Sequence, residues 1–521
     1  MDNNKNSIDL DKITFLVPCQ RFNIKCAVTK DERLPIVNEF VIRLLKITGK
    51  LTLDQIQKYF GFNEKEIHKV IQGLLTERLI AWQNDELVLT EYANSKFKFS
   101  NDGLPRFVKI EEWNERFSID LISFNFAWFQ ERSKNYAAFI ELTWKDEERV
   151  SQSIDNAIKT FENNFIEYVE KFKYVNLNDR ERFQIYKISA IEAGDRFFFT
   201  INLNIYIDVE DQEQFKFDYP IFSDAEKYKR SLIIESIADS LSQRSSNQSK
   251  FYLKTFAAIY NDIFIPSYIK GEKFELKDYL KEVLKRDVNT YEGSTQPIIG
   301  AAYLEPNLKI IDAYLNQKSL FFEDNHSNSS NFISPILWIK PKNDLWGKND
   351  DVFELAELLK SNPTIKGYKR DKLILFSPKQ EKDEENNNFI FRYGKNSIFD
   401  RILFWGVAVI PENFEIILCP YHFVVALYHH IPDPTSKLTI PFGIVSREPK
   451  IVSSFQQYLY GKFCCENEPI ETKSVEIKSK SGIKPVIVRR KVGQLKDKIP
   501  WLNEKEMSDV FQQLNSKLPK F

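Results

Sequence analysis

The sequence predicts a multi-domain α/β (α+β) protein, and three observations lead there. Its 521 residues exceed what one core organises, and at about 100 to 200 residues per domain they make roughly three domains. Hydrophobic residues at 43% and aromatics at 14% supply apolar area for several packed interiors, which sets the chain apart from disordered sequences. A helical stretch near the N-terminus then gives way to segments where apolar residues alternate, interspersed with segments where they recur every third or fourth position. The expected divisions are 1–100, 101–330 and 331–521.

In the first division, "IVNEFVIRLLKITGK" has the apolar spacing of an amphipathic helix stopped by Gly49, and "LTLDQIQKYFG" that of a second. "NEKEIHKVIQGLLTERLI" is a third, with Asn63 as its N-cap. "LIAWQNDELVLTEYA" then reads as two alternating strands around the polar turn Gln83 to Glu86, with a helix start at Thr90. Helix, helix, helix and hairpin, with "GFN" before the third helix and "LVLTEYA" closing the hairpin, resembles the winged-helix family over about 65 residues. The resemblance implies that Lys65, His68, Lys69 and Gln72 of the third helix face outward, where DNA-binding relatives reach the major groove. Residues 36–98 nevertheless hold nine basic against eight acidic side chains, and the hairpin tip is acidic at Asp85 and Glu86.

In the second division, "PRFVKIEEW", "RFSIDLISFNFAWF", "AAFIELTW" and "RFFFTINLNIYIDVE" read as strands rich in β-branched and aromatic residues. "SQSIDNAIKTFENNFIEYVEKFKYV" and "DAEKYKRSLIIESIADSLSQ" carry helical spacing. The polar runs 242–250 and 323–331 are expected loops or linkers. From Ile333 onward, "SPILWIKP", "DKLILFSP", "ILFWGVAVI", "FEIILCPYHFVVALY" and "IPFGIVS" are short apolar runs of the kind found in a sheet covered on both faces. "VFELAELLKS" and "EPKIVSSFQQYLYGKF" are the covering helices, and 380–388 is a polar insertion.

The ending "FWGVAVIPENFEIILCPY", "IPFGIVSREPKIVSSFQQYL" is similar to effector domains of winged-helix regulators with a catalytically inactive phospholipase-D-like fold. The resemblance implies a strand pair that reports on a ligand, and an S-x-x-P lead-in to the last helix, here Ser446 to Pro449. Active phospholipase chemistry needs H-x-K, with histidine attacking phosphorus and lysine neutralising the phosphoryl oxygens. Two positions beyond the five histidines stand Val70, Asn328, Val424, Ile431 and Pro432, so that reaction is excluded in its usual form.

"CPYHFVVALYHH" gathers Cys419, His422, His429 and His430 in twelve residues. In a strand Cys419 and His422 point to opposite faces, and no spacing in the stretch matches a zinc site. The expectation is a buried strand and helix start whose imidazoles bond the backbone, with no metal and no cofactor. "SVEIKSK" offers Glu476 and Lys478 as the strand half of a metal-dependent nuclease site, but no Asp lies between Pro449 and Ser474 to complete it. From Lys473 to Lys498 nine basic residues, among them Lys478, Lys480, Lys484, Arg489, Arg490 and Lys491, face two acidic ones. Such a segment can hold phosphates.

The formal net charge is -1, so any basic surface is local. No signal-peptide pattern and no apolar run of membrane-spanning length occurs, and the five cysteines lack disulfide or metal spacing, which together predict a cytoplasmic protein away from membranes. No Walker, Rossmann, nucleophile-elbow or zincin motif is present. The sequence therefore predicts a DNA-associated recognition or regulatory subunit, without catalysis of its own, in a prokaryotic multi-component system, anti-phage defence being one such setting. Its expected partners are double-stranded DNA and proteins that supply catalysis. A ligand-sensing winged-helix transcription regulator and a diverged metal-dependent nuclease are the alternatives.

Overall fold

A computed structural model describes residues 7–32, 34–97, 105, 107–127, 139–172, 183–243, 252–285, 294–317, 335–361, 372–378, 399–405, 410–432, 438–464, 470–479 and 482–491. The chain forms two units: residues 1–17, 129–143 and 198–521 make one, and residues 18–128 and 144–197 the other. Sequence reasoning divided the chain into consecutive blocks, whereas the fold interleaves them. The N-terminal stretch, expected as an extension of a helical module, is instead a 26-residue strand, β1 (Ser7–Glu32), that passes from one unit into the next. Its strand character comes from alternation: Phe22, Ile24, Cys26 and Val28 are all buried.

In the unit built on residues 18–128 and 144–197, β1 is followed by a small helical module. It consists of α1 (Ile36–Thr48), β2 (Lys50–Thr52), α2 (Leu53–Phe60), α3 (Glu64–Thr76), β3 (Ile80–Gln83) and β4 (Glu86–Leu89), the strands ordered β2-β4-β3. Capping boxes at Thr52 and Asn63 satisfy orphan N–H groups and start α2 and α3. Asn84 and Asp85, both at positive φ, make the two-residue turn between β3 and β4, a conformation asparagine and aspartate tolerate. Val41, Ile42, Leu45, Ile56, Ile67, Ile71, Leu74, Ile80 and Leu87 close the module's core. β5 (Phe107–Asp120) then pairs antiparallel with β1, from Cys19 against Asp120 to Glu32 against Phe107. The helices Ser153–Asn163 and Phe165–Phe172 pack on that pair through Phe161, Phe165 and Tyr168 against Phe22, Phe117 and Phe126.

The other unit begins with the first residues of β1, against which β6 (Ile140–Glu141) runs parallel. β7 (Phe183–Asp208) enters it from residue 198 and turns back as β8 (Asp211–Asp218). A two-stranded hairpin, β9 (Ile269–Lys270) and β10 (Lys273–Phe274), follows. Its centre is a nine-stranded sheet built from β11 (Thr295–Ile299), β12 (Ile336–Ile339), β13 (Leu373–Pro378), β14 (Arg401–Trp405), β15 (Phe414–Cys419), β16 (Phe423–His430), β17 (Ile440–Ser446), β18 (Ile470–Ser479) and β19 (Gly482–Lys491). The order is β11-β17-β16-β15-β12-β13-β14-β18-β19, with β12, β13 and β14 parallel and every other pairing antiparallel. β11 lies before the boundary expected near Ile333, because "TQPII" is too short to advertise itself.

Both faces of this sheet are covered across β12 to β17, as the continuous apolar runs of those strands require. One face carries Leu337, Ile416, Leu418, Ala426, Tyr428 and Phe442 beneath helices Leu253–Ile259 and Pro449–Cys464. The other carries Trp338, Ile417, Val425, Leu427 and Val445 beneath helices Glu305–Leu315 and Asp351–Ser361. β1 is tied to this second layer: Ala301 N donates to the Leu10 carbonyl at 2.8 Å, and Lys12 Nζ pairs with Asp351 at 2.9 Å. "CPYHFVVALYHH" is a turn followed by strand β16 throughout; no helix starts there, because the pairing of Val424 to His430 with β17 continues the sheet. Pro420 and Tyr421, the latter at φ 57°, form the reversal.

Candidate functional site

The densest chemistry among the described residues lies where β12 ends and β15 and β17 begin. Glu415, the second residue of β15, has no solvent exposure. Its Oε1 accepts from Trp338 Nε1 and from Trp346 Nε1, each at 3.0 Å, and its Oε2 lies 2.8 Å from His429 Nε2. The register explains the meeting: Glu415 opposes Leu427, so His429, two residues on, is its diagonal neighbour on the same face. The other imidazole nitrogen, Nδ1, is 3.1 Å from Thr439 Oγ1. The two indoles meet edge to face at 5.4 Å, which fixes both donors.

Next to this pair, Tyr303 Oη donates to Asp11 Oδ1 at 2.8 Å and accepts from Gly347 N at 3.3 Å. Burial pushes the Asp11 carboxyl up to about 7, against the lowering effect of its Tyr303 and Lys12 hydrogen bonds, with the Glu415 and Asp351 charges adding to the rise. Burial, then the Asp11 and Glu415 charges, hold the Tyr303 phenol well above its ordinary range.

The remaining imidazoles of the stretch behave as core. His422 is buried, its Nε2 3.3 Å from the Leu315 carbonyl, and burial lowers its pKa. His430 packs on Phe274 and Phe442, and burial pushes it down to about 4. No group of three metal-ligating side chains occurs among the described residues.

On the helical module, Lys65, His68, Lys69 and Gln72 are all exposed, on the side of α3 opposite the buried Ile67, Ile71 and Leu74. His68 Nδ1 lies 2.7 Å from the Glu64 carbonyl, which turns that imidazole back along the helix. Several acids of the module are already paired: Glu39 with Arg43, Asp54 with Lys58, and Glu86 with Lys50. Lys65 and Lys69 are in no ion pair among the described residues.

The described part of the basic segment lies in β18 and β19, paired antiparallel at the far edge of the nine-stranded sheet, β18 joining β14 through Leu403 against Glu471. Lys478 opposes Ile483, Lys484 opposes Ile477, and Arg489, Arg490 and Lys491 oppose Thr472, Glu471 and Ile470. Glu476 opposes Pro485 on the same hairpin, two residues from Lys478. Lys480, Lys496 and Lys498 lie outside the described residues, as do 323–331, 380–388 and most of 242–250. The α3 residues and the hairpin belong to different units.

No family model, curated protein or solved structure matches this chain.

Sequence reasoning passed over Asp11, Trp338, Trp346 and Glu415. Glu415 left a usable signal: a lone carboxylate within "FEIIL", where every neighbour is apolar, marks a buried charge that demands partners. Asp11 left none, since its neighbours Asp9 and Lys12 make the segment look solvated.

Proposed function

We propose that this chain is a DNA-associated recognition or regulatory protein whose residues 36–95 form a winged helix reading duplex DNA through α3. The observation that carries this reading is the presentation of Lys65, His68, Lys69 and Gln72 together on the open side of a well-capped helix, beside a hairpin with a two-residue turn. The nearly balanced charge of the module weighs less than it seems, because its acids at 39, 54 and 86 are spent on Arg43, Lys58 and Lys50 while Lys65 and Lys69 stay available for phosphates. The pair β18 and β19, with Arg489, Arg490 and Lys491 in succession, supplies a second basic segment. Partner proteins of a prokaryotic multi-component system, such as one acting against phage, supply the chemistry on DNA.

Fluorescence anisotropy with a labelled duplex across a salt series tests this. Wild type binds with an affinity that falls steeply with salt. Lys65→Ala combined with Lys69→Ala weakens binding and flattens the slope by up to roughly 2, since each phosphate contact contributes about 0.9. Affinity and slope identical to wild type would remove α3 from the interface and turn the module toward protein contact.

A further inference from the structure

Thr439, His429 and Glu415 stand in series. Thr439 Oγ1 lies 3.1 Å from His429 Nδ1, and His429 Nε2 lies 2.8 Å from Glu415 Oε2. Indole N–H groups only donate, so Trp338 and Trp346 occupy Glu415 Oε1 and leave Oε2 for the imidazole. With Nε2–H given to Oε2, Nδ1 carries the lone pair, and the hydroxyl it faces is that of Thr439. Glu415 and His429 are buried, whereas Thr439 is only partly so, at the point where the chain enters β17. His422 provides the contrast: that imidazole satisfies its Nε2 on a main-chain carbonyl, the ordinary arrangement for a core histidine. Burying a carboxylate costs several kcal/mol before its hydrogen-bond donors offset it, and apolar residues of similar volume often serve stability as well. A role in stability therefore leaves the chosen residue types and their order unexplained.

We propose that Thr439 is the nucleophile of an acyl-transfer site, with His429 as its general base and Glu415 as the positioning residue that fixes the imidazole's tautomer. The arrangement is that of hydroxyl, imidazole and carboxylate triads, in which the carboxylate orients and the imidazole moves the proton. The fitting substrate class is a small carboxylic ester, because a half-buried secondary hydroxyl admits little bulk. Thr439 Oγ1 bonds to the carbonyl carbon while its proton passes to His429 Nδ1. The bond from that carbon to the alkoxy oxygen breaks, and the alcohol leaves with the proton from Nδ1. Water then adds to the Thr439 ester, again giving its proton to His429, and the carboxylic acid departs as the Thr439 hydroxyl is restored. Water is the only co-reactant. This activity is independent of DNA recognition.

The test uses the full chain with p-nitrophenyl acetate. Nitrophenol release by wild type should drop at least about 100-fold in Thr439→Val, in keeping with the 10²–10⁴ that general-base catalysis contributes, and should persist in Thr439→Ser. Peptide mapping of acid-quenched wild type should find the acetyl group on Thr439, a measurement that needs no variant to fold. Release by Thr439→Val at the wild-type rate, or an acid-quenched wild type with no acetyl on Thr439, would overturn the proposal.

Discussion

Glu415 Oε2 and His429 Nε2 face each other at 2.8 Å inside the nine-stranded unit, with side-chain exposures of 0% and 5%. A carboxylate in that position is tolerable only because three donors surround it, two indoles and one imidazole. Truncation in Glu415→Ala strands all three at once. It should cost on the order of 3–5 kcal/mol, while Glu415→Gln, which keeps an acceptor oxygen, costs visibly less. Urea unfolding of the two variants measures both, and equal midpoints would contradict the account.

Asp11 makes stability depend on pH. Its folded pKa of about 7 lies above the ordinary 3.8, so between those values the folded chain holds a proton that the unfolded chain has released. The stabilisation is complete below about 3.8 and is lost as pH rises toward about 7. Asp11→Asn, still able to accept from Tyr303, should flatten this component and raise Tm at pH 8. Thermal scans at pH 5 and 8 for both proteins give the comparison.

Gly443 sits where a Cβ would run into the Ala426 carbonyl of the neighbouring strand. Gly443→Ala should therefore destabilise by about 3 kcal/mol, at the upper end of what overpacking costs, despite adding a single methyl group. A wild-type midpoint in denaturant would show that β16 and β17 can part there without penalty.

His422 and its neighbours should hold no zinc. Chelator should leave Tm unchanged, and His422→Ala should cost on the order of 1–3 kcal/mol through the lost Leu315 contact and packing. Elemental analysis of chelator-free protein finding one tightly held equivalent would reverse this.

Purified protein with Mg²⁺ should leave supercoiled plasmid intact, since Glu476 opposes a proline and shares its hairpin with no aspartate. Nicking abolished in Glu476→Ala would restore the nuclease reading.

Periodicity made most elements readable. The runs around Ile416, Val425 and Ile444 announced covered strands, and the spacing of Ile67, Ile71 and Leu74 announced α3, because each repeats the pitch of its element. What stayed hidden depended on distant partners. β1 was missed because its charged residues Asp11, Lys12 and Lys25 mask the alternation of Phe22, Ile24 and Cys26. The Glu415 site draws on residues as far apart as Trp338 and Thr439, and pairing across strands has no local signature.

The attachment of β1 also sets an order of events during synthesis. Lys12 finds its ion-pair partner 339 positions later at Asp351, and Asp11 finds its hydrogen-bond donor 292 positions later at Tyr303. At roughly 5–20 residues per second of elongation, β1 waits on the order of tens of seconds for the layer that will cover it. Leu10, Ile13 and Phe15, fully buried in the finished protein, lack those covering partners throughout that interval. β1 is thus made well before the layer that seats it.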